Sequence, residues 1–359
     1  MHICFYITGH GFGHSIRSCQ IIKHLPKHYR VTIKTSVPKS LFTSEIPHIN
    51  ATVLYDLSDC GCLQSDSVTV LKDETFAKYS EIANLNRSRE ESECAWLVEN
   101  NVNCVVSDIP SWPLVAAKRA LLPAILVANF TWYNIYNEYA VTKNHKNLLQ
   151  TMANEYAQAD MCLIPGLEVP DLRAMFRSAI DVPIIARQGT SSSQYLKRAL
   201  DLAPSSKIAL LYLGAWGLSI DWFNISRING WTFILYGDAS NLPDNVKSAD
   251  GLGMNHADVA ASVDCVVSKA GYGTVTESMA NGVPLIFIPR LDFSEYAALV
   301  KGINEWNGGI VINQDDLFGG NLTNALSQVE QAKMDCRTIR SNGAAAASEH
   351  IVNCCESFQ

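Results

Sequence analysis

The sequence predicts an α/β protein with two doubly wound parallel sheets. Short apolar runs of about four to eight residues recur along the chain, and segments with helical spacing separate them. This alternation stops at a Ser- and Pro-rich stretch near residues 190–206 and then starts again. A chain of 359 residues is also long for one hydrophobic core. These three observations favour two domains, each with a sheet covered by helices on both faces.

Composition excludes several classes of protein. Hydrophobic residues make up 48% of the chain and charged residues 18%, as in a soluble globular protein. A net charge of −7 without a basic block argues against a nucleic-acid partner. A strand begins at once, and no apolar run approaches the ~18 residues of a membrane span, so we expect a cytoplasmic protein. Peripheral membrane contact stays open.

The eleven cysteines are scattered without the paired spacing of a zinc site. We therefore expect reduced, mostly buried thiols and no metal site.

The first half of the chain predicts about six strands and at least two helices. The strands are predicted at residues 2–8, 30–35, 51–55, 103–107, 124–129 and 161–164, and the helices at 15–25 and 73–99. The second half repeats the pattern, with strands at 208–213, 232–236, 264–267, 285–288 and 310–312. We place the linker between the two halves at about residues 183–205.

The chain is organised around residues 266–289, VVSKAGYGTVTESMANGVPLIFIP. They predict a strand, a turn at Gly271 and Gly273, a helix at 274–281 and a second strand. A helix that starts at a glycine turn directs free N–H groups at an anion, and a diphosphate suits such a site. Thr274 could cap this helix or bind phosphate, and Glu277 could accept from a ribose hydroxyl. The alternative is an ordinary strand–turn–helix unit whose glycines only make a tight turn.

A second glycine loop, Gly-His-Gly-Phe-Gly-His at residues 9–14, follows the first predicted strand. In open α/β sheets, ligands bind at this carboxyl edge. A histidine here is neutral at cellular pH and can accept a proton, which suits His10 and His14 to general base catalysis. Both could instead be structural or merely exposed.

These stretches resemble the GT-B glycosyltransferases. Residues 266–289 are similar to the donor-binding segment of the second GT-B domain, where a glycine turn holds the diphosphate and a Glu holds the ribose. Residues 9–14 match the opening motif of the glycosyltransferase-like N-terminal part of L-arabinokinases. The lipid-II-forming N-acetylglucosaminyltransferase of bacteria is a more distant likeness. The resemblance covers about residues 2–352 but lacks the kinase half, so it implies no ATP-dependent kinase activity.

The resemblance implies two Rossmann-like domains that face a central cleft. Residues 1–185 would bind the acceptor, residues 205–340 the nucleotide-sugar donor, and a helix in 341–359 would pack back on the first domain. The implied activity is transfer of a sugar from a nucleotide-diphosphate sugar to an acceptor hydroxyl, with inversion, without a metal or other cofactor. UDP is favoured because it is the commonest donor nucleotide in the superfamily. The alternatives are a nucleotide-sugar epimerase or hydrolase, and a non-catalytic nucleotide-sugar-binding protein.

The resemblance also implies roles for individual residues in the first domain. His14 would be the general base, with His10 as the alternative, and Asp108 would orient it. Asp108 could instead cap the helix that starts near Pro113. An acceptor pocket is implied for five residues, although core packing also explains most of the aromatic ones: Phe12, Trp112, Asn129, Trp132 and Tyr136.

In the second domain, the implied donor site has three parts beyond the central stretch. A glycine turn at 214–217 would contact the diphosphate or the sugar, and the residues before the helix near 257 would bracket the base. The motif P-R-x-x-F-x-E would grip the sugar through Glu295, with Arg290 near phosphate, unless these two form a modest surface ion pair. The implied donor-binding residues are Gly13, Gly214, Ala215, Trp216, Gly217, Met254, Asn255, Lys269, Gly271, Gly273, Thr274, Glu277, Arg290 and Glu295.

Overall fold

The computed structural model describes residues 1–66, 68–213, 220–332, 334–335 and 339–358. It contains one seven-stranded and one six-stranded sheet, and all strand pairs within the two sheets are parallel. Two parallel sheets with helices on their faces are the predicted fold class. The predicted turn at 214–217 lies outside the described residues.

The first sheet has the strand order β3-β2-β1-β4-β5-β6-β7. Most of its strands are buried on both faces, as expected for a parallel sheet under helices. The sequence did not predict β7, a three-residue strand whose residues are partly exposed. The strands are β1 His2–Ile7, β2 Arg30–Thr35, β3 Ala51–Tyr55, β4 Cys104–Asp108, β5 Ala124–Val127, β6 Met161–Ile164 and β7 Ala179–Asp181.

In the described part of the chain, seven α-helices connect these strands, and three of them correct two sequence-based predictions. The helix predicted at 73–99 is two helices, because the chain turns at Arg89, whose guanidinium donates to Asp56 and Asn86. Residues expected to form a loop after β5 form α6, where Thr131 and Asn134 make a capping box. The helices are α1 Gly13–His24, α2 Lys39–Glu45, α3 Lys72–Ser88, α4 Glu90–Glu99, α5 Trp112–Arg119, α6 Trp132–Asn137 and α7 Lys143–Tyr156.

The second sheet has the strand order β10-β9-β8-β11-β12-β13. Its strands are β8 Lys207–Tyr212, β9 Trp231–Leu235, β10 Val246–Ser248, β11 Cys265–Lys269, β12 Leu285–Ile288 and β13 Gly309–Val311. The remaining helices are α8 Ser193–Ala199, α9 Trp222–Ser226, α10 His256–Ala260, α11 Tyr272–Asn281, α12 Glu295–Trp306, α13 Gln314–Phe318, α14 Thr323–Val329 and α15 Gly343–Ser357.

Helix α11 begins two residues earlier than predicted. Its N-cap is Gly271, which provides no side chain, so the cap predicted for Thr274 is wrong. Thr274 instead lies within the first turn and lines the cleft between the domains.

The last helix, α15, completes the core of the first sheet. Its buried face packs in one hydrophobic cluster with Cys19 and Ile22 of α1. That face consists of Ala344, Ala347, Ile351 and Cys355. The return of the last helix to the first domain, which the resemblance implied, is therefore present.

The chain passes between the two domains twice, and the two passages lie side by side. The backbone N–H of Ile184 donates to the carbonyl of Arg340 at 3.1 Å, and that of Gly343 donates to Ile184 at 3.3 Å. A Cβ at position 343 would lie 1.8 Å from the carbonyl oxygen of Pro183, so only glycine fits there. Among the described residues, no helix has the length and apolarity needed to cross a bilayer.

Candidate active site

A cleft of about 520 Å³ separates the carboxyl ends of the two sheets. The loop at residues 9–14 lines it from one side, and the glycine turn at 271–274 lines it from the other. The two turns nearly touch, because a Cβ at Gly273 would lie 3.6 Å from the Cα of Gly13. Helices α1 and α11 thus both begin at the cleft, where their free N–H groups and dipoles favour an anion.

Asp108 ends β4 and accepts four hydrogen bonds in the core below the cleft. His14 Nδ1 donates to Oδ1 at 2.8 Å, and Ser18 Oγ donates to Oδ2 at 3.0 Å. Arg17 binds both oxygens, with Nη2 at 2.6 Å and Nε at 3.0 Å. Burial disfavours the charge, but the Arg17 guanidinium and the His14 bond prevail and lower the pKa of Asp108 to about 2. We call these four residues the Asp108 cluster.

The Asp108 cluster fixes the tautomer of His14. An ionised carboxylate can only accept, so His14 Nδ1 must carry the proton and Nε2 the lone pair. Arg17 Nη2 approaches Nδ1 at 3.2 Å but has its own acceptor in Asp108. His14 lines the cleft, and in this tautomer Nε2 is the atom that can accept a proton from a ligand there. Asp108 does not cap α5, whose N-cap is Ser111.

His10 has the opposite tautomer to His14. The backbone N–H of Cys62 donates to His10 Nδ1 at 3.3 Å, which leaves the proton on Nε2. Burial, followed by the charge of Arg290, lowers the pKa of His10 well below its usual value. Its ring packs edge-on against Trp132, with 5.2 Å between centroids. His10 is therefore a neutral donor, and this geometry favours His14 as the general base.

Asp59 is a site residue that the sequence did not reveal. It accepts from Thr8 Oγ1 and from Trp132 Nε1, both at 2.7 Å. Burial raises its pKa to about 6, against the effect of these two bonds and of the nearby His14. Asp59 follows β3 in a loop without a recognisable motif. Arg17 was also missed, although its position one turn after His14 on the same helix was a usable signal.

Four of the five residues predicted to bind the acceptor are buried in the core. Asn129 accepts from Arg17 Nη1 at 2.8 Å, Trp132 donates to Asp59, and Tyr136 donates to the carbonyl of Gly61. Direct contact with an acceptor does not fit these positions, because the side chains are buried and do not line the cleft. Trp112 is buried too, beneath the Arg89 guanidinium. Phe12 does line the cleft and is 38% exposed.

Glu277 lines the cleft one turn into α11, as predicted, but it already has cationic partners. Arg187 binds both carboxylate oxygens, with Nε 3.0 Å from Oε1 and Nη2 3.2 Å from Oε2. His256 Nε2 lies 3.6 Å from Oε2. Although burial opposes it, these partners lower the pKa of Glu277. Arg187 also donates to Glu45 of α2 at 2.9 Å, so it connects Glu277 to the first domain.

The residues predicted to bracket the base have structural roles. Asn255 is the N-cap of α10 and accepts from the N–H of Asp258 at 2.9 Å, and Met254 packs against a core cluster. Neither lines the cleft. The aromatic rings near Glu277 are those of Tyr212, Tyr236 and His256, which pack against each other with centroids 4.9–6.4 Å apart.

Arg290 and Glu295 form an ion pair, with Nη1 3.4 Å from Oε1. The alternative of a surface pair is wrong, because the two residues are only 6% and 5% exposed. Both line the cleft beside Lys269, the last residue of β11. Burial, and then the charge of Arg290, lowers the pKa of Lys269 to about 7. We call these three residues the Arg290 cluster.

Comparisons with known proteins match both halves of the chain. Residues 252–353 match the family "Glycosyltransferase family 28 C-terminal domain". L-arabinokinase of Arabidopsis thaliana is 30% identical over 357 residues, which cover 97% of this chain and 34% of the relative. The chain thus spans about a third of the length of that relative.

Solved structures of glycosyltransferases share the fold along the whole chain. A UDP-glucosyltransferase from Polygonum tinctorium superposes with a TM-score of 0.64 at 14% identity, covering 99% of this chain and 98% of that one. MurG of Acinetobacter baumannii gives a TM-score of 0.56 at 12% identity, covering 98% and 99%. With the match to the family 28 domain and the likeness to L-arabinokinase, they confirm the resemblance on which the site was predicted, and the fold of the chain is the GT-B fold of these glycosyltransferases.

Proposed function

We propose that this protein transfers a sugar from a UDP-sugar to an acceptor hydroxyl, with inversion and without a bound metal ion. The observation that carries the proposal is the position of the hydrogen-bonded pair His14–Asp108. It faces the glycine turn and the N-terminus of α11 within one cleft. A proton acceptor and an anion site on opposite walls are the two parts that such a transfer needs.

In the proposed reaction, His14 Nε2 takes the proton of the acceptor hydroxyl as that oxygen attacks the anomeric carbon. The bond between this carbon and the diphosphate oxygen breaks, and the electron pair leaves with the nucleoside diphosphate. Asp108 stabilises the imidazolium that forms, as the carboxylate does in other histidine-based sites. Attack from the wall opposite the diphosphate inverts the anomeric configuration.

The leaving diphosphate would be neutralised by the protein itself. The N–H groups at the starts of α1 and α11 direct partial positive charge at the cleft, and such fixed dipoles stabilise developing negative charge. Glu277 lies one turn further along α11, where it would accept from the ribose hydroxyls. UDP is proposed as the nucleotide for two reasons. It is the commonest donor nucleotide in the superfamily that the chain resembles, and the structurally similar Polygonum enzyme is named a UDP-glucosyltransferase.

The first experiment is a thermal-shift panel with UDP, GDP, ADP, CMP, dTDP and their common sugar conjugates. A ligand at a hundred times its dissociation constant adds ~2.7 kcal/mol to the free energy of unfolding, so UDP should raise the melting temperature. A Glu277→Ala variant should lose that shift. If no nucleotide stabilised the protein, the donor site would be disproved.

The second experiment separates the transferase from its alternatives. Release of UDP from UDP-glucose is measured with and without a pool of sugar and phenol acceptors. His14→Ala should lower acceptor-dependent release about 10²–10⁴-fold while UDP affinity stays unchanged, because only the proton transfer is lost. The exposed His48 gives the matched control, His48→Ala. Turnover without acceptor would indicate an epimerase or hydrolase, and an indifferent His14→Ala would indicate a binding protein.

A further inference from the structure

The Arg290 cluster is buried but only partly paired. Arg290 Nη1 and Glu295 Oε1 are 3.4 Å apart, beyond the usual range of a charged hydrogen bond. Arg290 Nε and Glu295 Oε2 have no hydrogen-bond partner, although both atoms are buried. Buried polar atoms are nearly always paired in folded proteins, so unpaired ones in residues that line a cleft are candidate partners for a ligand.

The cluster holds two basic side chains, Lys269 and Arg290, close to the carboxylate of Glu295. Burial and then the charge of Arg290 lower the pKa of both Lys269 and His10, and Lys269 contributes to the effect on His10. The positive charge of the buried Arg290 would therefore favour an anionic group at this wall of the cleft.

The position of the cluster identifies which part of the donor it would meet. Arg290 Nη1 lies 3.8 Å from where a Cβ at Gly271 would be, so it borders the diphosphate turn. Its guanidinium stacks on the ring of Phe293 at 3.7 Å, and that ring lies 5.9 Å from the ring of His10. The cluster thus lies between the diphosphate turn and the loop that carries the general base. In the proposed reaction, the transferred sugar occupies this space.

We propose that the Arg290 cluster binds a carboxylate on the transferred sugar, so that the donor is a nucleotide-linked hexuronic acid. This inference rests on the proposed function and names its substrate class. The planar Arg290 guanidinium, held on Phe293, presents its unpaired Nε for a carboxylate, and Lys269 adds a second positive charge. Glu295 Oε2 is left to accept from a sugar hydroxyl.

The competing explanation is that Arg290 and Lys269 hold the diphosphate of any donor. Calorimetric titration of the full chain with UDP, UDP-glucose and UDP-glucuronic acid separates the two. If the proposal holds, the protein binds UDP-glucuronic acid about tenfold more tightly than UDP-glucose, as a charge-assisted hydrogen bond predicts. Arg290→Gln should abolish that difference, because it lowers the affinity for UDP-glucuronic acid about tenfold more than the affinity for UDP-glucose.

The matched control is Arg173→Gln, because Arg173 is exposed and pairs with Glu168 and Asp181 away from the cleft. The Arg173→Gln variant should still bind UDP-glucuronic acid more tightly than UDP-glucose. Lys269→Gln provides a second test if Arg290→Gln does not fold. It should reduce the difference in affinity between UDP-glucuronic acid and UDP-glucose.

Three results would overturn the proposal. The first is a wild-type protein that binds UDP-glucose as tightly as UDP-glucuronic acid. The second is an equal loss of affinity for UDP itself in Arg290→Gln, which would place Arg290 on the diphosphate. The third is no binding of any of the three ligands. That result would overturn the proposed donor class as well, whereas the first two leave it standing.

Discussion

The Asp108 cluster and the Arg290 cluster are both buried at the carboxyl ends of parallel strands, yet they differ in how completely they are paired. Asp108 accepts four hydrogen bonds at 2.6–3.0 Å. Arg290 and Glu295 share one contact of 3.4 Å and leave a polar atom each without a partner. The first cluster is complete without a ligand and holds His14 ready for reaction. The second becomes complete only when a ligand supplies the missing partner.

The largest effect expected from this difference is on stability. Asp108→Asn leaves the buried Arg17 guanidinium without its counter-charge, and breaking such a pair costs about 3–5 kcal/mol. Glu295→Gln should cost less than half as much, since Arg290 has only one long contact to lose. Urea unfolding followed by circular dichroism gives both free energies. Equal losses in the two variants would show that the clusters do not differ in this way.

An intermediate effect is expected for Arg187, which contacts Glu277 more closely than Arg290 contacts Glu295, at 3.0 and 3.2 Å against 3.4 Å. Arg187→Met removes the cation that keeps Glu277 ionised and oriented, so UDP affinity should fall about tenfold, or ~1.4 kcal/mol. Arg187→Lys should lose less, because it keeps the charge but not the two-point contact. Calorimetry measures the dissociation constants, with Arg173→Met as the control. An unchanged affinity in Arg187→Met would remove Arg187 from the donor site.

The smallest effect concerns pH and tests the incomplete cluster. The pKa of Lys269 is about 7 in the empty cleft, and a bound anion would raise it. Between these two values, binding takes up a proton, so the preference for UDP-glucuronic acid over UDP-glucose should fall as pH rises from 7 to 9. For the uptake of one proton, the ratio of the two affinities can change by at most about tenfold per pH unit. The charged groups that act on Lys269 are Arg290, Glu295 and Asp66.

Titration of the two ligands from pH 6 to 9 gives this ratio directly, and neither the sugar carboxylate nor the diphosphate diester changes charge there. In Lys269→Met the ratio should be independent of pH. A flat ratio in the wild type would mean that Lys269 does not face the sugar.

The fold was predictable because its strands carry a strong local signal. Apolar runs buried on both faces identified the parallel sheets, whereas β7 and β10 were missed because each has three residues and little apolar character. The contact between His14 and Asp108 was implied by the resemblance, and the structure explains it, because β1 and β4 are adjacent and both residues lie at the carboxyl edge of these strands. The apolar strands therefore predict the fold, and the carboxyl ends of two adjacent strands bring His14 and Asp108 together.

What could not be predicted depends on contacts between distant parts of the chain. Asp59 is recognisable only through its bond to Trp132, 73 residues away, and Arg187 only through Glu277, 90 residues away. The sequence also does not show which side of a wall a residue faces. Trp132 and Tyr136 were assigned to the acceptor pocket because of the resemblance, but they are buried behind the cleft wall.

The return of α15 makes the first domain discontinuous in sequence. In topological terms, the second domain is an insertion between β7 and α15, and a fragment of residues 1–185 would expose the apolar groove over Cys19 and Ile22. The two segments that connect the domains are hydrogen-bonded to each other at Ile184, and they approach so closely at Gly343 that a Cβ would clash with Pro183. A change in the relative position of the two domains would therefore have to move both segments together.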